Sequence, residues 1–260
     1  MAELGLAAVT APRLIGAPER LWRIGRPERP FHTGAQQRLD QLPENQRSTV
    51  GGRWDDPQAR FLTIYTGENR LACAYEYAAH FRPSRDQIEQ KIIQATADEP
   101  PDAGMDPDLL GGVILEKDLA KRSLASATIT PLPFIDIAAT STHTFLNRDD
   151  RARAALRRAS HSEFDRGVVM HADRELTRAV AGLLRDYADE DLSGQVAGLS
   201  YESRLANHRC YAVWADRITF TDVQPWPLTA DTPELQHATH ELGITIIADT
   251  SLGPLPGISR

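Results

Sequence analysis

The chain has no run of 18 or more apolar residues, so no segment is long and apolar enough to cross a bilayer as a helix. It has little cysteine. Cys73 and Cys210 are far apart and in no metal-ligand spacing. Two ordinary thiols in a reduced, intracellular protein is the simplest reading. The opening MAELGLAAVTAPRL has an acidic Glu3, no basic start and only a short apolar run, unlike a secretory leader, so a cytoplasmic protein is expected. Positive charge is not in excess: 29 Lys and Arg against 36 Asp and Glu leave −7. General nucleic-acid binding rests on neutralising phosphates and is not expected of such a chain. A small anionic ligand held by a few local arginines remains compatible with that charge.

Several signatures are missing as well. There is no internal repeat, no low-complexity tract, no G-x-G-x-x-G, no Walker loop and no H-E-x-x-H. GLSYE (198–202) breaks the G-x-S-x-G elbow because its fifth residue is Glu202. His237 and His240 could reach one metal from a helix, but no third ligand is evident, and two surface histidines is the better reading.

What is present is a globular composition, 41% hydrophobic and 25% charged over 260 residues. That length buries a core without disulfide staples and suits one large domain or two small ones. Strands are expected at LWRIGR (21–26), FLTIY (61–65), GVILE (112–116), Ala127–Pro131, Pro133–Ala138, YAVW (211–214), ITFT (218–221) and ITIIA (244–248), with YAVW and ITFT as candidates for one hairpin. The spacing of Leu71, Ala74, Tyr75 and Ala78 predicts a helix over Asn69–Phe81, which Pro83 stops. Ser84 opens a capping-box pattern ahead of Ile88, Ile92 and Ala95, a second helix. Further helices are read at Asp118–Leu124, at the arginine-rich Asp149–Ala159, and at Asp173–Ala188. The last carries the stripe Leu176, Ala179, Val180, Leu183, Leu184 and Tyr187 behind the N-cap Asp173. Thr232 and Pro233 start a final helix that Gly243 ends. Residues 27–50 and 98–110 read as loops. Helices and strands interleave without a strict βαβ rhythm, which points to the α+β class. The expected core is a mixed, mostly antiparallel sheet flanked by helices.

Three segments in order resemble one family. They are Leu21-Trp22-Arg23-Ile24, then Gly52-Arg53-Trp54-Asp55 through Ile64-Tyr65 to Glu76 in LACAYE, then Leu176-Thr177-Arg178 followed by Gly198 through Ser203-Arg204. Together they resemble the RES-domain family, named for its Arg, Glu and Ser. The family more often has Asn at position 55 and Pro at position 202, where this chain has Asp55 and Glu202. The resemblance implies a fold like that of ADP-ribosyltransferases. It divides the chain into a loose segment at 1–18, a catalytic domain at 19–220 and a helix–strand extension at 221–260. It implies NAD as a substrate rather than a cofactor, broken at the nicotinamide–ribose bond by water or inorganic phosphate. No other cofactor and no metal is expected. A toxin restrained by a small antitoxin protein is the implied setting, and a homodimer is compatible with it. Two other readings stay open: ADP-ribosyl transfer to a macromolecule, and a catalytically silent NAD- or partner-binding module.

The residues suit that chemistry. Breaking the bond to nicotinamide develops an oxocarbenium-like cation, which a carboxylate can stabilise, and Glu76 fits that role. A salt-bridged helix glutamate is the bland alternative. A pyrophosphate calls for a guanidinium fork, for which Arg23 and Arg53 are the candidates among many surface arginines. Which of them meets phosphate and which organises Glu76 stays open. Ser203 could bond the ribose or a phosphate, or position the attacking group; a turn serine is the plain reading. Trp54, Tyr65 and Tyr201 could stack on nicotinamide or adenine, or simply fill a core. The basic stretch at Arg151, Arg153, Arg157 and Arg158 reads as a solvated helix face.

Overall fold

The structure, a computed structural model, describes residues 10–32, 41–43, 46, 51–83, 112–170 and 173–248. The helix expected after Ser84 and the loop at 98–110 lie outside these residues. In chain order the elements are β1 (Leu14–Ile15), β2 (Leu21–Gly25), β3 (Thr63–Gly67), α1 (Arg70–Ala78) with a 3₁₀ turn at Ala79–Phe81, β4 (Val113–Leu115), α2 (Glu116–Leu119), β5 (Ser123–Ile129), β6 (Phe134–Asp136), α3 (Thr140–Arg148), α4 (Asp150–Arg158), α5 (Arg166–Met170), α6 (Arg174–Glu190), β7 (Gly198–Glu202), β8 (Arg209–Trp214), β9 (Phe220–Pro227), α7 (Pro233–Leu242) and β10 (Thr245–Ile247). The mixture is α+β, as expected. The chain divides into two compact units, one drawn from residues 1–21, 31–68 and 127–223, the other from 22–30, 69–126 and 224–260.

In the first unit the strands run β1-β6-β7-β8-β3. The β6–β7 pairing is parallel, and β1–β6, β7–β8 and β8–β3 are antiparallel. Strand β8 is the middle of this arrangement. Its run Cys210-Tyr211-Ala212-Val213-Trp214 is buried throughout, without the in–out alternation of a half-solvated strand. Leu21, Ile64, Phe134, Tyr211 and Val213 meet in one apolar cluster, and burying each such side chain is worth about 1.5–3 kcal/mol. Because β3 and β7 occupy the two sides of β8, the hairpin expected between YAVW and ITFT does not form. Short-range apolar pattern marks a strand but does not choose its partner.

The long helix α6 begins where Asp173 predicts it: the carboxylate accepts from the Glu175 and Leu176 amides. The helix is buried more widely than its stripe. Arg178 and Arg185 are enclosed along with Leu176, Val180, Leu183 and Leu184, while Ala179 and Tyr187 are only half-buried. Arg185 sits over the Trp214 and Phe61 rings at 5.0 and 5.2 Å and bonds both carboxylate oxygens of Asp216. Helix α4 starts at its N-cap Asp149, where the helix was expected to begin, and Arg151, Arg153, Arg157 and Arg158 are exposed along it.

In the second unit, segments of β2, β5 and β9 run side by side in that order, and β10 pairs in parallel with β4. Asn69 caps α1 by accepting from the Ala72 amide at 2.8 Å. The helix expected at Asp118–Leu124 is instead α2 at Glu116–Leu119, and β5 starts at Ser123, four residues before the expected strand. Strand β3 is shifted two residues beyond FLTIY. Gly243 closes α7 as the sequence requires.

Gly198 opens β7 at φ 152°, and a Cβ there would lie 2.1 Å from the Ala212 carbonyl oxygen of the central strand. Backbone cannot withdraw as a flexible side chain could. Gly198→Ala is expected to cost about 2 kcal/mol or more, read as a lower midpoint in urea unfolding.

Candidate functional site

The first unit holds Arg53, Trp54, Tyr65, Tyr201 and Ser203 of the expected site residues. The loop Gly51–Asp55 is built around the Tyr65 hydroxyl. That hydroxyl accepts from the Trp54 amide at 2.8 Å and donates to Asp55 Oδ1 at 2.7 Å, while Asp55 Oδ2 accepts from the Gly52 amide at 2.6 Å. Gly52 is required by this packing: a Cβ would stand 2.1 Å from the Tyr65 oxygen. Arg178, almost wholly buried, donates from Nε to the Gly52 carbonyl at 3.0 Å, and Arg174 Nη1 reaches the Gly51 carbonyl at 3.0 Å. Burial lowers Arg178 below its ordinary value, and Asp55 partly offsets the fall.

This loop fixes Trp54, which is buried against Tyr201 of β7 with ring centroids 5.7 Å apart. Arg53 lies over the Trp54 ring at 5.2 Å and donates from Nη2 to the Val169 carbonyl. Ser203 follows β7 in a turn; its amide donates to the His208 carbonyl at 2.7 Å and its Oγ accepts from the Leu205 amide at 3.2 Å. The structure therefore gathers Arg53, Trp54, Tyr65 and Tyr201 around one loop. Glu202, next to Ser203, is paired with Arg166.

The sequence reading assigned no role to Asp55, Arg174 or Arg178. Arg178 left one usable signal: a guanidinium inside the most apolar helix of the chain must find a partner or a ligand.

The second unit holds Arg23 and Glu76. Arg23 is half-buried on β2, with Nη1 buried and without a hydrogen-bond partner among the described residues. Burial lowers its pKa; the nearby Cys73 thiol opposes the fall and the Arg122 cation adds to it. Arg122 also acts on Tyr77, whose hydroxyl is raised mainly by burial. Cys73, Glu76 and Tyr77 lie three and four residues apart on α1 and so share one face. Arg122 is thus within electrostatic reach of both Arg23 on β2 and Tyr77 on α1, and Cys73 of the same helix is within reach of Arg23; Glu76 is half-buried. Arg122 also lines a cavity of about 770 Å³, together with Lys117, Ser123 and Trp226. Such a volume is in the range that holds a small-molecule ligand. His237 faces Glu241 at 3.4 Å on α7, and among the described residues no group of three or more His, Cys, Asp or Glu is placed to hold a metal ion.

Burial, followed by Asp55, pushes the Tyr65 hydroxyl well above its ordinary value. The folded protein keeps a proton that the unfolded chain releases near pH ~10. Tyr65 therefore contributes stability in full below that pH, and the contribution is lost as pH rises towards the folded value. Tyr65→Phe is expected to cost about 1–3 kcal/mol at neutral pH by leaving Asp55 and the Trp54 amide without their partner. Urea unfolding at pH 7 and again above pH 10 checks this: the variant loses less stability than the parent over the alkaline step.

No curated protein matches the chain. Among solved structures it is similar to a chain of the M. tuberculosis MbcT–MbcA toxin–antitoxin complex, at 15% identity and a TM-score of 0.37, over 88% of this chain and 91% of that one. The RES domain model matches residues 20–231, a span that includes all seven expected site residues and most of the chain. The chain belongs to the RES-domain family.

Proposed function

We propose that the protein consumes NAD by breaking the bond between nicotinamide and ribose. The observation that carries this reading is the Arg23 guanidinium, largely withdrawn from water within electrostatic reach of Cys73 on α1, the helix that bears Glu76, with a buried nitrogen that has no hydrogen-bond partner among the described residues. A desolvated cation of that kind is costly in a resting protein and favourable once an anion pairs with it. In this reading Arg23 meets the dinucleotide pyrophosphate. Family membership supports the choice of ligand, since studied RES proteins degrade NAD.

The chemistry asks little of the protein beyond placement and charge. Nicotinamide leaves with the electron pair of the glycosidic bond, and the ribose C1″ becomes oxocarbenium-like. The Glu76 carboxylate stabilises that charge or holds a ribose hydroxyl. A water oxygen then bonds to C1″ and gives its proton to solvent, yielding ADP-ribose. Inorganic phosphate in the same place yields ADP-ribose 1″-phosphate. Arg53 is assigned to the substrate's charged groups and Ser203 to the attacking group or the ribose. Trp54, Tyr65 and Tyr201 are assigned to the aromatic support of the loop that carries Arg53. The biological setting proposed is the family's: a toxin held in check by an antitoxin, working in the cytoplasm.

The test is to incubate the purified protein with NAD, with and without inorganic phosphate, and separate the products. Free nicotinamide with ADP-ribose or its 1″-phosphate is expected, and the partner product identifies the acceptor. Glu76→Gln is expected to lower turnover at least about a hundredfold with melting within a few degrees of the parent. Intact NAD after incubation with the parent protein would overturn the reading, and loss of folding in the variant would make Glu76 structural.

A further inference from the structure

The family match ends at residue 231, so α7 and β10 lie beyond it. Helix α7 is nevertheless fastened to α1 at its start and middle, and β10 is linked through Gly112 to the 3₁₀ turn that follows α1. At its first residue, Arg70 is 3.9 Å from Glu234 and lies over the stacked Trp22 and Trp226 rings at 4.9 and 4.7 Å. In its middle, the buried Tyr75 donates its hydroxyl to Glu241 Oε2, and its ring meets His237 edge-on at 6.1 Å. Beyond its end, the Phe81 carbonyl accepts from the Gly112 amide, and the Gly112 carbonyl in turn accepts from the Thr245 amide, where β10 joins β4. Tyr75 precedes Glu76 directly. Burial, then the Glu241 carboxylate, pushes its hydroxyl up to about 12, so it remains a donor at ordinary pH.

We infer that the C-terminal segment Pro233–Ile247 is a positioning element for Glu76, acting by gripping α1 at Arg70 and Tyr75 and, through Gly112, the turn that follows α1 at Phe81, with Tyr75 and Glu241 as its central pair. Neither residue touches substrate in this assignment; they act through α1. A helix held at its start and middle, with the turn after it tied down as well, cannot slide or roll, so the carboxylate on its ligand-facing side keeps its place. Misplacement of a reacting group by about 1 Å costs rate steeply, and a change of that size leaves the fold intact. The inference rests on Glu76 acting on the substrate, as proposed above.

The experiment compares Tyr75→Phe, Glu241→Ala and Glu241→Gln with the parent chain. NAD turnover is measured as kcat and KM, and amide hydrogen exchange is followed in residues 70–81. Tyr75→Phe and Glu241→Ala are each expected to lower kcat about three- to tenfold with KM within about twofold, and to speed exchange in α1. Glu241→Gln, whose amide oxygen still accepts, is expected to restore most of the rate. The double variant Tyr75→Phe/Glu241→Ala is expected to lose no more than either single change, because both remove the same bond. Unchanged kcat and unchanged exchange in Tyr75→Phe and Glu241→Ala would overturn the inference. A parent protein that leaves NAD intact would count against the proposed function instead, and the exchange data would still decide whether the segment holds α1.

Discussion

The first unit depends on β8 being covered on both edges and both faces. Once Cys210 through Trp214 are placed between β3 and β7, the rest is constrained. Ala212 presses on Gly198 and fixes where β7 begins. β7 delivers Tyr201 to Trp54 and ends at the turn of Ser203. β3 delivers the Tyr65 hydroxyl into the Gly51–Asp55 loop. The residues singled out for chemistry in this unit are therefore attached to the most deeply buried strands, and their immediate supports are hydrogen bonds made out of water, where a missing partner is costly.

Buried arginines divide into two kinds. Arg178 and Arg185 have their charge or donors met, by the Gly52 carbonyl in one case and by Asp216 in the other. They are parts of the framework. Arg23 has its Nη1 buried without a hydrogen-bond partner among the described residues, and the Arg122 cation lies within electrostatic reach of it. A fold tolerates such an arrangement only by drawing on stability gained elsewhere, and strained or under-satisfied groups of this kind concentrate where a ligand completes them.

Much of this was legible in the sequence. Asp149, Asp173, Pro233 and Gly243 marked helix ends because the chemistry of helix ends is local, and Thr232 sits at the start of α7 although its side chain makes no cap hydrogen bond. LWRIG and VIL marked strands because their apolar content is local too. Partner choice was not legible: β8 pairs with β3 from far upstream, and no nearby residue records that. Helices α3 and α5 were missed because each is short and mixed in character, with Thr142, His143 and Leu146 the buried face of α3. In the site, the order and spacing of Arg23, Arg53, Tyr65, Glu76 and Ser203 identified the family. The support from Asp55 was invisible because it acts inside one folded loop on the Gly52 amide and the Tyr65 hydroxyl, and those from Arg178 and Glu241 because each acts across a long chain separation on a backbone group or a buried hydroxyl.

The central claim is that Arg23 is kept desolvated for an anionic substrate and not for the fold. The most direct measurement is on Arg23→Ala, with thermal melting and a calorimetric NAD titration on the same sample. The account predicts a melting temperature equal to or above the parent's, because a buried cation has been removed, together with NAD affinity weaker by about tenfold or more. A melting temperature several degrees lower with NAD affinity unchanged would contradict it.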